Sequence, residues 1–377
     1  MNKMYFDYNA SHPILPELVE SLDKGDLSLW GNPSSAHSAG REARDKIEEA
    51  REIVAQSCGR SHQELVFCSG ATEANHDLIR SYTRLFSKAR VFVSKLEHPC
   101  VLSACELSGN ETVFVPYAGD RFSGQPDFAA IQDEVQKDDL IVCMAANNET
   151  GQIFDLDFVS DLAARKGAWF HCDAVQVFAK SPGLIPKSDS LSISAHKIGG
   201  LSGVGALISK PLEGLSLIPG SQERGKRGGT ENLLGIQSFL IAVQSWQAKY
   251  QSVFSENMPG LNKYLEESLL EIFPQAQLQA SSLKRLSSTS NVSFPGLEGE
   301  SLLFSLDIAG IQCSLGSACS SGSIEASPVL LEMGLSEKEA KSSLRISMGV
   351  FTSRSEIDQL ISTLEGICKR MLKAKRK

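Results

Sequence analysis

Four short stretches of the chain carry side chains whose types and spacing suit chemistry. Phe67-Cys68-Ser69-Gly70-Ala71-Thr72-Glu73 reads as a buried strand end, a turn of small residues and a helix start. Free backbone N–H groups there, with the Thr72 hydroxyl, suit a phosphate; an ordinary capped strand–helix turn reads the same way. His171-Cys172-Asp173-Ala174-Val175-Gln176 ends an apolar run on a carboxylate. Such a carboxylate is costly without a cation, whether a ligand's protonated ring nitrogen or an internal Arg. Ser192-Ile193-Ser194-Ala195-His196-Lys197 sets a Lys before the Gly-rich residues 199–205. Desolvated in a cleft, that Lys becomes a usable amine; on the surface it is an ordinary solvated residue. Cys319 sits in Gly316-Ser317-Ala318-Cys319-Ser320-Ser321-Gly322-Ser323, a composition that cannot bury a thiol and leaves it open to reaction.

The hydrophobic pattern supplies the supports these stretches need. Leu65-Val66-Phe67-Cys68, Val91-Phe92-Val93, Val113-Phe114-Val115, Leu140-Ile141-Val142-Cys143-Met144 and Trp169-Phe170-His171-Cys172 read as buried strands. Residues 43–54 place Ala43, Ile47, Ala50 and Val54 on one helical face, and residues 128–135 and 158–164 predict helices as well. This alternation predicts an α/β fold with a mainly parallel sheet covered on both faces. After a helical stretch over 233–250 come a helix over 261–272, a strand over 291–294 and a helix over 301–309. They predict a smaller α+β domain beginning near Gln251, with the Ser-rich residues 281–290 as a loop.

Composition narrows the function classes. A chain of 377 residues, 42% hydrophobic and 22% charged, can bury a large core and is not disordered. A net charge of −8 argues against nucleic acid or an anionic membrane as partner, and the basic tail Lys369 to Lys377 reads as a solvated end. No apolar run approaches the ~20 residues of a membrane span, and Met1 to Tyr8 lack a secretory apolar region. The 9 cysteines include no Cys-x-x-Cys pair, so neither a zinc site nor a disulfide framework is expected. A reduced, cytoplasmic protein is the expectation.

Taken together, an amine, an acid and phosphate donors are what pyridoxal 5'-phosphate requires. Further motifs sharpen this: Phe6-Asp7-Tyr8-Asn9-Ala10, Gly31-Asn32-Pro33-Ser34-Ser35, Glu97-His98, Asn147-Asn148-Glu149-Thr150-Gly151, Glu223-Arg224-Gly225, Arg227-Gly228-Gly229-Thr230-Glu231-Asn232 and Leu344-Arg345-Ile346-Ser347-Met348-Gly349. With the Gly316 to Ser323 loop, the chain resembles the cysteine desulfurases of the class V aminotransferase family, the group serving iron–sulfur cluster and thio-cofactor assembly. The resemblance implies a fold-type I pyridoxal phosphate enzyme acting as a homodimer. It would have a large domain over 15–250, built on a mainly parallel seven-stranded sheet. A small α+β domain over 1–14 and 251–377 would carry the Cys loop.

The resemblance also implies roles. Lys197 would bind the cofactor and remove the Cα proton, Asp173 would pair with the ring nitrogen, Gln176 would contact the ring oxygen and His98 would stack on the ring. Ala71, Thr72, Ser194 and His196 would hold the phosphate, with Thr230 reaching from the partner subunit. Asn148, also at the cofactor, and Arg345 would bind the substrate carboxylate. Cys319 would accept sulfur from L-cysteine, with His98 or the cofactor's field helping to form its thiolate, and pass it to a sulfur-acceptor or iron–sulfur scaffold protein. No resident metal is implied, although Cys319 would transiently ligate a cluster held with a scaffold. The chain departs from the family pattern at Ser11-His12, at Gly200-Leu201-Ser202-Gly203 and at Gln222. Another class V aminotransferase or lyase acting on a small amino acid would need the same site without the Cys loop. A sulfur-relay scaffold without turnover would not need Lys197, Asp173 and His98. The acceptor, the pathway and any use of selenocysteine stay open.

Overall fold

The computed structural model describes residues 3–25, 30–316 and 325–375, so Cys319 lies outside the described residues. Seven strands form the main sheet: β1 Leu65–Cys68, β2 Val91–Ser94, β3 Thr112–Val115, β4 Leu140–Val142, β5 Trp169–Asp173, β6 Ser190–Ser194 and β7 Gly205–Ser209. Their order is β1-β7-β6-β5-β4-β2-β3, and β7 alone runs antiparallel to its neighbours. Every residue of β1, β2, β4, β6 and β7 is buried, as both faces of a sheet sandwiched by helices demand.

The register brings Cys68, Gly205 and Ser194 into one row, while Asp173 pairs with Ser192 one strand further along. The ends of β1, β5 and β6 therefore open on one edge of the sheet, where ligands of parallel α/β folds bind. Gly205 is required there: a Cβ would lie 2.7 Å from Gly70 Cα and 2.6 Å from the Ile193 carbonyl. The expected helix over 128–135 is instead a series of turns. Its bonds run mostly from residue i+3 back to i, and Phe128, Ile131 and Val135 still reach the core. So short a segment, followed by left-handed Asp138 (φ 65°), cannot propagate a helix before β4 begins.

A second sheet of order β8-β9-β10 joins Gln277–Leu278, Thr289–Ser293 and Ser343–Ser347, all antiparallel. The helices expected over 233–250 and 261–272 belong to one helical run: Leu233–Ser245, a π turn at Trp246–Tyr250, then Gln251–Ile272. Gln251 thus sits within helix. The N-terminal segment pairs Met4–Tyr5 with Ile311–Gln312 and then runs beside β10, where Ser347 N donates to the Phe6 carbonyl. Among the described residues no helix is long and apolar enough to cross a membrane, and none group as a metal site.

Candidate active site

The strand-end Lys is drawn inward by backbone oxygens. Lys197 closes a single 3-10 turn after β6, and its Nζ donates to the carbonyls of Asn9 (2.6 Å) and Ala10 (2.9 Å). Burial, then the positive charge of Arg345, lowers its pKa to about 8. Asn9 acts as a hub: its carbonyl also accepts from Gln176 Nε2 (3.2 Å), and its own Nδ2 donates to the Asn148 carbonyl (3.0 Å) and Thr289 Oγ1 (2.9 Å).

Asp173, 8% exposed at the end of β5, has no Lys or Arg ion-pair partner among the described residues. Its Oδ2 accepts from Asn75 Nδ2 (2.8 Å) and its Oδ1 from Val175 N (3.0 Å). Asn75 is held in turn by His171, which reaches Ser190 Oγ, and all three are buried. That network orients the carboxylate without neutralising it. No Arg among the described residues takes the part of the internal partner for Asp173, and a protonated ring nitrogen fits the need.

Groups able to donate to a phosphate lie close by in the fold. Gly70 precedes the helix Ala71–Leu85 with no side-chain cap, so the first helical N–H groups, including those of Ala71 and Thr72, stay available. A Cβ on Gly70 would stand 4.0 Å from Ser194 Oγ, and Ser194 Oγ bonds His196 Nδ1 at 2.8 Å. Glu73 accepts from Ser69 N and pairs with Arg227 at 2.7 Å, tying this turn to the loop that carries Thr230. Thr230 itself is exposed, and no described hydrogen bond joins it to the other site residues.

His98 caps the helix Pro99–Leu107, its Nδ1 accepting from Cys100 N (3.2 Å). A backbone N–H can only donate, so this bond assigns the ring proton to Nε2. Although His98 is solvent-accessible, the surrounding protein lowers its pKa, against the opposing pull of Asp173 and with a smaller contribution from nearby Lys197. The neutral ring therefore presents a donor at Nε2 rather than a base. Arg345, on β10, donates to the Asn148 carbonyl (3.2 Å) and Asp7 Oδ1 (2.6 Å), leaving its buried Nε without a partner. A guanidinium so aimed suits a carboxylate. Asn148 meets the others through its carbonyl rather than through a described side-chain bond.

The model of the class-V aminotransferase family matches residues 4–360. The chain belongs to that family. A cysteine desulfurase of Trichormus azollae is 35% identical over 98% of this chain and 94% of its own. A solved NifS-like protein aligns with TM-score 0.86 and 30% identity, covering 97% of this chain and 99% of its own. A structure described as SspA in complex with cysteine aligns with TM-score 0.77 and 29% identity, covering 93% of this chain and 100% of its own. Class-V enzymes of this group depend on pyridoxal 5'-phosphate, and an Asp173 oriented by Asn75 without an ion pair, uncapped Ala71–Thr72 N–H groups and a desolvated Lys197 fit that cofactor. Reading motifs alone assigned no role to Asn75, His171, Lys180 or Asp7. Asp7 and Asn9 lie in a quoted class-V motif, but their contacts depend on residues more than a hundred positions away.

Proposed function

We propose that this chain is a pyridoxal 5'-phosphate-dependent cysteine desulfurase that converts L-cysteine to L-alanine and takes the sulfur onto Cys319 as a persulfide. The observation that carries the reading is one electrostatically linked cluster: a desolvated Lys197 that feels both Asp173, which has no ion pair of its own, and an Arg345 held by Asp7. Near full-length likeness to cysteine desulfurases supports the same substrate.

When bound, pyridoxal phosphate supplies an aldehyde for the substrate amine and an electron sink for bonds broken at Cα. The N–H groups of Ala71 and Thr72 would hold its phosphate with Ser194 and His196. Asp173 would keep a proton on the ring nitrogen, and Gln176 would offer its amide to the ring oxygen. Arg345 binds the cysteine carboxylate, and Lys197 Nζ takes the Cα proton. His98 would donate a hydrogen bond from Nε2 toward the reacting atoms. In the overall transfer the substrate C–S bond breaks and an S–S bond forms at Cys319. One of the two thiol protons ends on carbon and the other stays on the persulfide, so no external oxidant is needed.

We read residues 15–250 as the cofactor-binding domain and residues 1–14 with 251–377 as the smaller one. We also read the enzyme as a cytoplasmic homodimer that hands sulfur to a protein acceptor for iron–sulfur or thio-cofactor assembly. Exposed Thr230, on a loop flanked in sequence by exposed Ile218 and Leu234, supports a partner subunit seated there. Incubating the cofactor-loaded protein with L-cysteine and a reductant tests the reaction: alanine and sulfide appear in equal amounts. Absence of both, in protein that has taken up the cofactor, contradicts it.

A further inference from the structure

Lys180 is a buried lysine that the reaction as described does not use. It is 7% exposed, follows left-handed Ala179 (φ 58°), and none of the described ion pairs involves it. Its Nζ donates to Gln176 Oε1 at 3.4 Å. Isolated ammonium groups are rarely buried without a carboxylate, so its place calls for a reason.

The chain of contacts supplies one. An ammonium can only donate, so Lys180 turns the Gln176 oxygen toward itself. The Gln176 nitrogen is then left facing the Asn9 carbonyl, the oxygen that also holds Lys197. Beside it stand further nitrogen bases. Burial lowers the pKa values of His12 and His196 to about 4 each, with Lys180 adding to it at His12 and Lys197 and then Lys180 at His196, so both rings are neutral near pH 7. Lys180 is itself lowered to about 7, first by burial and then by the charge on Lys197. The acids acting on this cluster, Asp173 and Asp7, act on Lys197, where Arg345 opposes them. Two ammonium groups thus disfavour one another, and Lys180 binds its proton more tightly when Lys197 carries no charge.

Resting on the pyridoxal phosphate reading, we propose that Lys180 is a positioning residue: it locks the Gln176 amide with its N–H toward the site, and its charge replaces that of Lys197 once Lys197 is engaged with the cofactor. A positive charge held there disfavours a proton on the nitrogen that joins Lys197 to the cofactor.

The test is the pH midpoint of the visible absorbance of the bound cofactor, read in wild type, Lys180→Met, Lys180→Gln and Lys180→Arg. Lys180→Met removes both the donor and the charge, and the midpoint moves to higher pH by about one unit. Lys180→Gln keeps a donor for Gln176 and loses the charge, so it shifts upward by less, and Lys180→Arg restores the wild-type midpoint. Should Lys180→Met fail to fold, Lys180→Gln against Lys180→Arg carries the same comparison. A purely structural role lowers melting temperature or cofactor occupancy and leaves the midpoint alone; unchanged midpoints in the neutral variants overturn the proposal. Wild-type protein that takes up no cofactor at all contradicts the pyridoxal phosphate reading instead.

Discussion

Arg345 Nη2 lies 2.6 Å from Asp7 Oδ1, joining a strand near the C-terminal end of the chain to its seventh residue. This pair aims the guanidinium proposed to hold the substrate carboxylate. Asp7→Asn keeps the size of the side chain and weakens the charge-assisted bond, which is worth about 1.5–3 kcal/mol. Steady-state kinetics should therefore show KM for cysteine raised roughly tenfold or more, with a smaller change in kcat. An unchanged KM means that Arg345 orients itself without Asp7.

The amine of Lys197 sets a pH dependence. Its pKa is lowered from 10.5 to about 8, so the free amine that captures an aldehyde is populated well below the usual lysine range. Uptake of pyridoxal phosphate by the apoprotein, followed by stopped-flow absorbance, should rise with pH and reach half its maximum near 8. A rate still climbing toward pH 10.5 means that the side chain is not desolvated in solution.

Asp173→Asn tests the uncompensated carboxylate. The amide retains the shape but cannot hold a proton on the ring nitrogen. Alanine formation should fall by about 10²-fold or more, the scale of losing one preorganised electrostatic contact. Asn75→Ala should produce a milder loss, because it frees Asp173 without removing its charge.

Glu149 contacts both ends of the Cys319 segment. Ser327 Oγ donates to Glu149 Oε2 at 2.5 Å, and a Cβ on Gly316 (φ 53°) would lie 2.3 Å from the same oxygen. Gly316→Ala therefore adds a left-handed residue, at about 1–2 kcal/mol, to a clash with a buried carboxylate. Cofactor absorbance should be unchanged while alanine production drops severalfold. Equal loss of both would place the effect in the fold rather than in the segment.

Much of this arrangement was legible in the residues themselves. Apolar runs marked β1, β2, β4 and β5, whose two faces are covered, whereas the run at Val113-Phe114-Val115, expected to be buried, is the edge strand β3 with Phe114 49% exposed. Lys197, Asp173 and the Gly70 turn were visible because each sits at a strand end with its own local signature. The antiparallel β7 was not, since direction leaves no trace in composition. Residues 128–135 have a helical spacing that the short path into β4 overrides. The links Asn9–Lys197, Asn75–Asp173 and Lys180–Gln176 depend on which elements become neighbours, or on the shape of one turn, and no motif announces them. Cys319 was legible only through its Gly/Ser setting and the class-V resemblance.

The measurement that bears most directly on the account is mass spectrometry of the Cys319 peptide after one turnover with L-cysteine, with alanine counted in parallel. The account predicts one added sulfur atom on Cys319 for each alanine released, and loss of both in Cys319→Ala. Alanine formed at an undiminished rate by Cys319→Ala, or added sulfur found on another cysteine, would contradict it.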